Sequence, residues 1–599
     1  MDEQRIGQYV KLIEELLGCP NGEEAKVLEA NANLVDAGLL QVMAAYSQWL
    51  RSQGQDNAAD GLENFAQQLQ PYILGTESSD NSDSWEAVMQ QTAQLYQQGQ
   101  YATAIPLAEW AVKLAREQWG KEHPNVATSL NNFALLYSSQ GQYTKAEFLY
   151  KEAVNIDRVA LPKNHPKLAA HLNNLAGLYK SQGRYDEAEP LYKEAVNIDQ
   201  IALPENHPHL ASVLNNLAGL YFSQGRYAKA EPLYKKVVEI VRVALPQNHP
   251  HVASALNNLA ELYSSQGQYA EAESLCKEAI NIHRIALPEN HPSLAISLNN
   301  LAGLYSSQGQ YAKAEPLCKE AVKIIRIALP ENHPQLVAHL NNLAGLYSSQ
   351  GRYDKAESLC KEALEIVRVT LPQNHPHVAS TLNNLAELYR IQGRYAKAEP
   401  LYKEALDIDR IALPENHPSL AVSLNNLAGL YSSQGQYAEA EPLCKEAVKI
   451  IRIALPENHP DLATHLNNLA GLYYSQRRYA EASEQYKASL ESAQQRLRYI
   501  FSTSSDRERR EYIESNPESY YAFLTLVWQH LADDPRAVGA ALDAVLRRKA
   551  LTTAALAAQS AAIYSGRYPE EIQSLFQSWK HCHEEIREKL FEVIPSLPN

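Results

Sequence analysis

The sequence predicts an all-α solenoid of stacked helix-turn-helix hairpins, on three observations. The dipeptide His-Pro recurs at His123, His165, His207, His249, His291, His333, His375, His417 and His459, always 42 residues apart. A phrase, L-N-N-L-A-x-L-Y-x-x-Q-G-x-Y-x-x-A-E-x-L, runs with it from Leu130 to a last start at Leu466. Within each copy, apolar residues return at spacings of three and four, the mark of a helical stripe. Fixed-period self-similarity signals a repeat architecture, and 599 residues exceed one compact core.

Taken in chain order, residues 1–74 form a helical region with its own pattern, carried by Leu12, Ile13, Leu16, Leu17, Leu39, Leu40, Val42 and Met43. Residues 75–84 include the run Thr76 to Ser84, T-E-S-S-D-N-S-D-S, and read as a polar linker. Ten repeats then occupy residues 85–496, the first a degenerate copy in which Gly99, Tyr101 and Ala104 hold the phase. A longer period is superimposed. Gln247 to Val252 returns at Gln373 to Val378, 126 residues on, so blocks of three repeats were copied. Residues 497–599 leave the pattern and form a further helical region.

Each repeat divides into two helices. Leu172, Leu175, Ala176 and Tyr179 define the stripe of the first, and Gln182-Gly183 stops it, because glycine takes the left-handed cap conformation without strain. Tyr185, Ala188, Leu191, Tyr192, Ala195 and Ile198 stripe the second. Asn-His-Pro restarts the next unit, with Asn expected as N-cap and Pro in the first turn. Pro190, Pro232, Pro316, Pro400 and Pro442 lie inside second helices and are expected to bend them slightly. One hairpin cannot bury its stripe alone, so neighbours must stack.

Composition narrows the function classes. A net charge of -15 opposes binding to nucleic-acid backbones or anionic membranes. The start Met1-Asp2-Glu3-Gln4 lacks the pattern of a signal peptide, and no run approaches the roughly 20 apolar residues of a membrane helix. A cytoplasmic location is expected. Cys276, Cys318, Cys360 and Cys444 fill a slot that holds Tyr150, Tyr192, Tyr234 and Tyr402 in other copies, so the slot serves packing. Neither metal nor cofactor is expected. The nine His-Pro histidines stand on layers about 10 Å apart, too far to share a zinc with ligands at about 2 Å, and are expected to be turn and capping residues. His171, His339 and His465 are expected to be packed or solvated, and the neighbours His581, Cys582 and His583 point in different directions on a helix. No phosphate loop, H-E-x-x-H, dinucleotide fingerprint or nucleophile elbow occurs, so no catalytic residues are assigned.

Helical geometry selects a binding face. At 100° per residue, the positions most nearly opposite the stripe are Ala170, Asn174, Gly177 and Ser181. The second Asn of each pair is thereby placed in a groove: Asn132, Asn174, Asn216, Asn258, Asn300, Asn342, Asn384, Asn426 and Asn468. A primary amide both donates and accepts, so it can pair with a peptide backbone whatever its side chains. Gly177, Gly219, Gly303, Gly345, Gly429 and Gly471 interrupt helices at about 1 kcal/mol each, which implies close approach by a ligand or a neighbouring helix. Repeat-to-repeat bridging is the other reading of both ladders. Specificity is expected where copies differ: Glu261 and Glu387 in place of Gly, and Lys180, Phe222, Arg390 and Tyr474 in place of Ser. The floor lacks the Lys and Arg cluster that would clamp a C-terminal carboxylate.

The small Ala176 and Ala188, with Tyr179 and the Gly183-x-Tyr185 turn, stand where the tetratricopeptide repeat (TPR) family has them. The 42-residue length and the L-N-N-L-A-x-L-Y wording resemble the repeats of kinesin light chains. The resemblance covers residues 85–496 and implies a right-handed superhelix whose first helices line a concave peptide-binding groove. The sustained heptads through which kinesin light chains join the motor chain have no counterpart here. The stretch Ala541-Leu542-Asp543-Ala544-Val545-Leu546-Arg547-Arg548-Lys549-Ala550-Leu551 resembles the connector of bacterial proteins that join such repeats to a caspase-like (CHAT) protease. That protease domain is expected to be lost or separately encoded. The expected function is a non-catalytic scaffold for extended peptides or protein partners. The alternatives are an adaptor that docks a caspase-like protease and a motor–cargo adaptor.

Overall fold

The computed structural model describes residues 84–503 and 518–547 throughout, and parts of 3–69. The expected linker, apart from Ser84, lies outside the described residues. So do residues 548–599, with His581, Cys582, His583 and the end of the connector-like stretch. Two compact units divide the chain, 1–160 and 161–599.

In the first unit, the helices Glu3–Gly18 and Ala37–Ser52 share a core of Tyr9, Leu12, Ile13, Leu16, Leu39 and Met43. Leu17, assigned to that stripe, faces solvent instead. Asp36 joins the two ends by accepting from Arg5 Nη2 at 2.7 Å and from the Tyr9 hydroxyl at 2.5 Å. Two hairpins follow, Trp85–Gln97 with Tyr101–Trp119 and Pro124–Ser139 with Tyr143–Ala160.

The second unit stacks eight hairpins, from Pro166–Ser181 with Tyr185–Ala202 to Pro460–Ser475 with Tyr479–Thr503. Their local causes are those of the repeat phrase. Ala176, Ala188 and Ala195 are fully buried and let helices approach closely, while Leu172 and Tyr192 fill the space between them. At the turn, Gly183 has φ 69°, in the left-handed region that favours glycine, and Arg184 N–H closes the helix end on the Tyr179 carbonyl at 2.9 Å. The five second helices that hold Pro190, Pro232, Pro316, Pro400 and Pro442 run unbroken through them.

One expectation is corrected. The N-cap of the restarting helix is His, not the Asn before it. His165 is extended, and its Nδ1 accepts from Lys167 N–H at 3.1 Å, with Pro166 as the first helical residue. The same bond recurs from His207 to His459. An imidazole nitrogen two residues upstream of the amide reaches it as a carboxylate would, and Pro removes one orphan donor.

Layers are also tied by charge. Glu189 accepts from the Tyr221 hydroxyl at 3.0 Å and from Arg226 at 2.7 Å, both on the next hairpin. Glu357 does the same with Tyr389 and Arg394, and Glu441 with Tyr473 and Arg478. These contacts account for the Glu of A-E-x-L and the Tyr of L-Y. Most consecutive first helices approach one another directly, whereas consecutive second helices stay further apart. The second unit therefore bends toward its first helices, which form its inner face.

Candidate binding groove

The geometry of the inner face follows from where each first helix turns its stripe. In the pair Asn-Asn, the first residue points between layers and the second toward the open side. Asn257 and Asn383 are buried, and their amides donate forward to Ser297 at 2.7 Å and Ser423 at 2.8 Å. Asn299 bonds His339 in the same direction. The second amides divide by position. Asn216 donates back to Asn173 at 2.9 Å and Asn258 to Asn215 at 2.8 Å, so here the ladder bridges layers. Asn342, Asn384 and Asn468 are exposed, and among the described residues they have no hydrogen-bond partner. Asn132 lies beside Asn131 in the first unit, and Asn174, Asn300 and Asn426 are half-buried.

The glycines divide in the same way. A Cβ on Gly177 would meet the Tyr192 hydroxyl at 3.6 Å, and one on Gly219 would meet Lys180 Nζ at 3.1 Å and the Tyr234 hydroxyl at 3.5 Å. A Cβ on Gly303, Gly345, Gly429 or Gly471 would meet nothing within 4 Å. Behind three of these open glycines the slot holds Cys318, Cys360 and Cys444 instead of Tyr. Burial pushes those thiols up to about 11, 11 and 12, so they stay protonated and act as small apolar filler. The first helices that carry Gly303, Gly345, Gly429 and Gly471 thus present the roomier floor, with the helix of Glu387 between the second and third of them.

The variable positions differ in electrostatic state. Lys180 lies over Gly219 and faces Glu261 from beyond ion-pair distance. Loss of solvent lowers the Lys180 pKa and raises that of Glu261, each partly offset by the other's charge. Glu261 is solvent-exposed, so its raised pKa reports crowding by protein around an accessible group. Glu387 and Arg390 neutralise each other through two bonds at 2.7 Å, and the Tyr402 hydroxyl adds a third to Glu387. Phe222 rests against Tyr227 at 5.7 Å. Tyr474 packs on His530, which stacks on Tyr479 at 3.9 Å, so the helix Glu518–His530 partly covers that position. Nothing in the repeat phrase announces that cover.

His171, His339 and His465 are buried. Among the described residues, no group of His, Cys, Asp and Glu could hold a metal ion, and no helix is long and apolar enough to cross a membrane.

A family model described as tetratricopeptide repeat matches residues 90–158, 164–242, 251–327, 335–411 and 419–495. Among solved structures, nearly identical TPR-like repeats assigned to a kinesin light chain of Podosopora anserina are 30% identical, covering 34% of this chain and 98% of that one, with a TM-score of 0.30. BtubC (BKLC) from P. vanneervenii is 26% identical over 40% of this chain and 92% of its own, with a TM-score of 0.32. A Rap protein complexed with competence and sporulation factor is 16% identical over 62% and 98%, with a TM-score of 0.42. No curated protein matches the chain.

Proposed function

Because the chain belongs to the tetratricopeptide repeat family, we propose that it is a non-catalytic scaffold that binds an extended peptide segment of a protein partner along its inner face. The observation that carries this reading is the open stretch of that face. There, Gly303, Gly345, Gly429 and Gly471 leave space above the helix, and the amides of Asn342, Asn384 and Asn468 are exposed and, among the described residues, unshared. A ladder of such amides, spaced about 10 Å from layer to layer, can donate to and accept from every third peptide group of an extended chain, at about 3.3 Å per residue. Self-neutralised Glu387–Arg390 adds shape without net charge, so side-chain selection falls to local fit.

The test is to pan a random-peptide display library on the purified chain and titrate a selected peptide. The triple variant N342A/N384A/N468A should weaken binding at least tenfold with unchanged helicity. The variant N216A/N258A, which removes amides already used between layers, should change stability more than affinity. If no peptide is enriched, or the triple variant binds as the wild type does, the groove reading fails.

A further inference from the structure

The second unit touches itself at a distance the repeat phrase does not announce. His417 Nε2 donates to the Ser181 carbonyl at 3.0 Å, and His459 Nε2 donates to the Ser223 carbonyl at 3.1 Å. Each pair joins the turn of one hairpin to the helix start of the hairpin six further along. Because Nδ1 of both rings accepts from its own helix, the ring proton sits on Nε2, where this second bond needs it. Contact along the line is close. A Cβ on Gly183 would lie 2.8 Å from Pro418 Cδ, and one on Gly225 would lie 3.0 Å from His459 Cδ2. Burial, and then the charge of Asp461 across the contact, raise the Tyr185 phenol. Two successive pairs at the same offset make a seam between turns of a coil.

We propose that hairpins 166–503 form a closed coil whose inner face is a narrow lumen, and that its occupant is a single unfolded segment, neither a helix nor a folded domain. This rests on the groove reading and adds the partner's state. About six layers per turn at 8–10 Å each give a circumference of roughly 50–60 Å through the first-helix axes. The corresponding diameter is roughly 16–19 Å. Subtracting one helix width of about 10 Å leaves a bore of roughly 6–9 Å. An extended chain fits that bore, whereas an α-helix with its side chains, about 10–12 Å across, does not. The inner-face groups agree, since crowding by protein lowers the Lys180 pKa and raises that of Glu261. Small residues on the open floor keep the bore from filling. An occupant enters by a free end, or the seam parts to admit it.

The experiment measures closure without any ligand. Spin labels are placed at exposed S181C and S419C on a C19S/C582S background, and the distance between them is read by pulsed electron resonance. A closed coil gives a distance under about 25 Å, whereas six open layers at about 10 Å each would give about 60 Å. Two glycine pairs then probe the seam. G183A/G225A and G351A/G393A carry the same positive-φ penalty, with φ of 69°, 65°, 72° and 70°, but only the first pair pushes a Cβ into the seam. G183A/G225A should lengthen the label distance and G351A/G393A should not. A long distance in the parent, or equal behaviour of the two pairs, overturns the closed coil and leaves the groove reading standing. For the occupant, reduced and carboxymethylated α-lactalbumin, which stays unfolded, is compared with the native protein. Binding of the unfolded chain alone is expected. Binding of the native form, or of neither, overturns the extended-chain assignment.

Discussion

Replacing Glu357 by Gln isolates the clamp between two hairpins. Glu357 lies on the helix Tyr353–Thr370 and binds Lys361 of its own helix at 2.7 Å. It reaches the next hairpin through Arg394 at 2.5 Å and the Tyr389 hydroxyl at 3.0 Å. Lys361 most of all, then Arg394 and Tyr389, hold the carboxyl down at about 2 against the burial that would raise it. A fall from the ordinary 4.5 corresponds to about 3 kcal/mol of preference for the ionised form. Lys361 is 58% exposed and screened by solvent, so about 1–2 kcal/mol is assigned to the inter-hairpin clamp. A depressed carboxyl pKa stabilises the fold above about pH 4.5, and that stability is lost as pH falls toward 2. Hydrogen exchange reads the loss locally. At neutral pH, amides of Tyr353–Thr370 and Pro376–Ile391 should exchange about 5- to 30-fold faster in E357Q. The internal control is E399Q. Glu399 holds Lys403 at 2.8 Å in the same way, but the hairpin after it carries Gln436 where Arg394 stands. Equal acceleration in the two variants would refute the clamp.

Three other outcomes are expected. Burial lowers His339 to about 4, so its neutral form favours the fold and stability falls as pH drops from about 6.5 to 4, by roughly 3 kcal/mol. H339Q, which keeps an acceptor for Asn299, should remove that part of the acid sensitivity in urea titrations at pH 7 and 4.5. Burial raises Asp409 to about 6, with the Ser423 hydroxyl opposing at 2.6 Å. Stability tied to this carboxyl is therefore lost as pH rises from about 3.8 through 6, and D409N should stabilise the chain at pH 7.5 by about 2–3 kcal/mol but little at pH 4. The triple variant G303A/G345A/G429A should raise the melting temperature, since each Ala adds about 1 kcal/mol in a helix interior. The same variant should weaken the panned peptide, and unchanged binding would remove these glycines from the groove.

Local structure was legible in the residues because each local cause lies within a few positions of its effect. Gly183 announces a left-handed turn, and Ala176 against Ala188 announces close helices. Capping by the His-Pro histidines was legible, whereas the Asn before them was wrongly given the N-cap, because Asn usually leads at that position and here the ring nitrogen of His165 reaches the amide. The Glu189–Arg226 clamp could have been found from one signal, the restriction of positions 184, 226, 268, 310 and 352 to Arg or Gln. The division of the Asn ladder into shared and unshared amides was not legible, since Asn216 and Asn342 stand in nearly the same phrase. It shows only in three dimensions, where Asn216 is half-buried against Asn173 and Asn342 is exposed. The Ser181–His417 seam was further out of reach. It accumulates over six hairpins, and no residue near Gly183 differs for lack or presence of a partner across the seam.

The seam also bears on how such a gene can change length. The copied block is three hairpins, 126 residues, and the seam pairs hairpins six apart. One block is therefore half a turn of the coil. Unequal recombination that inserts one block keeps every neighbour contact and supplies every seam partner, because each edge is written in the same phrase, whereas deletion of one leaves five hairpins and no pair six apart. Insertion does rotate the far mouth of the lumen by about 180°, to the opposite side, and a second such event restores it. Copy number in this chain would set the direction in which an occupant emerges.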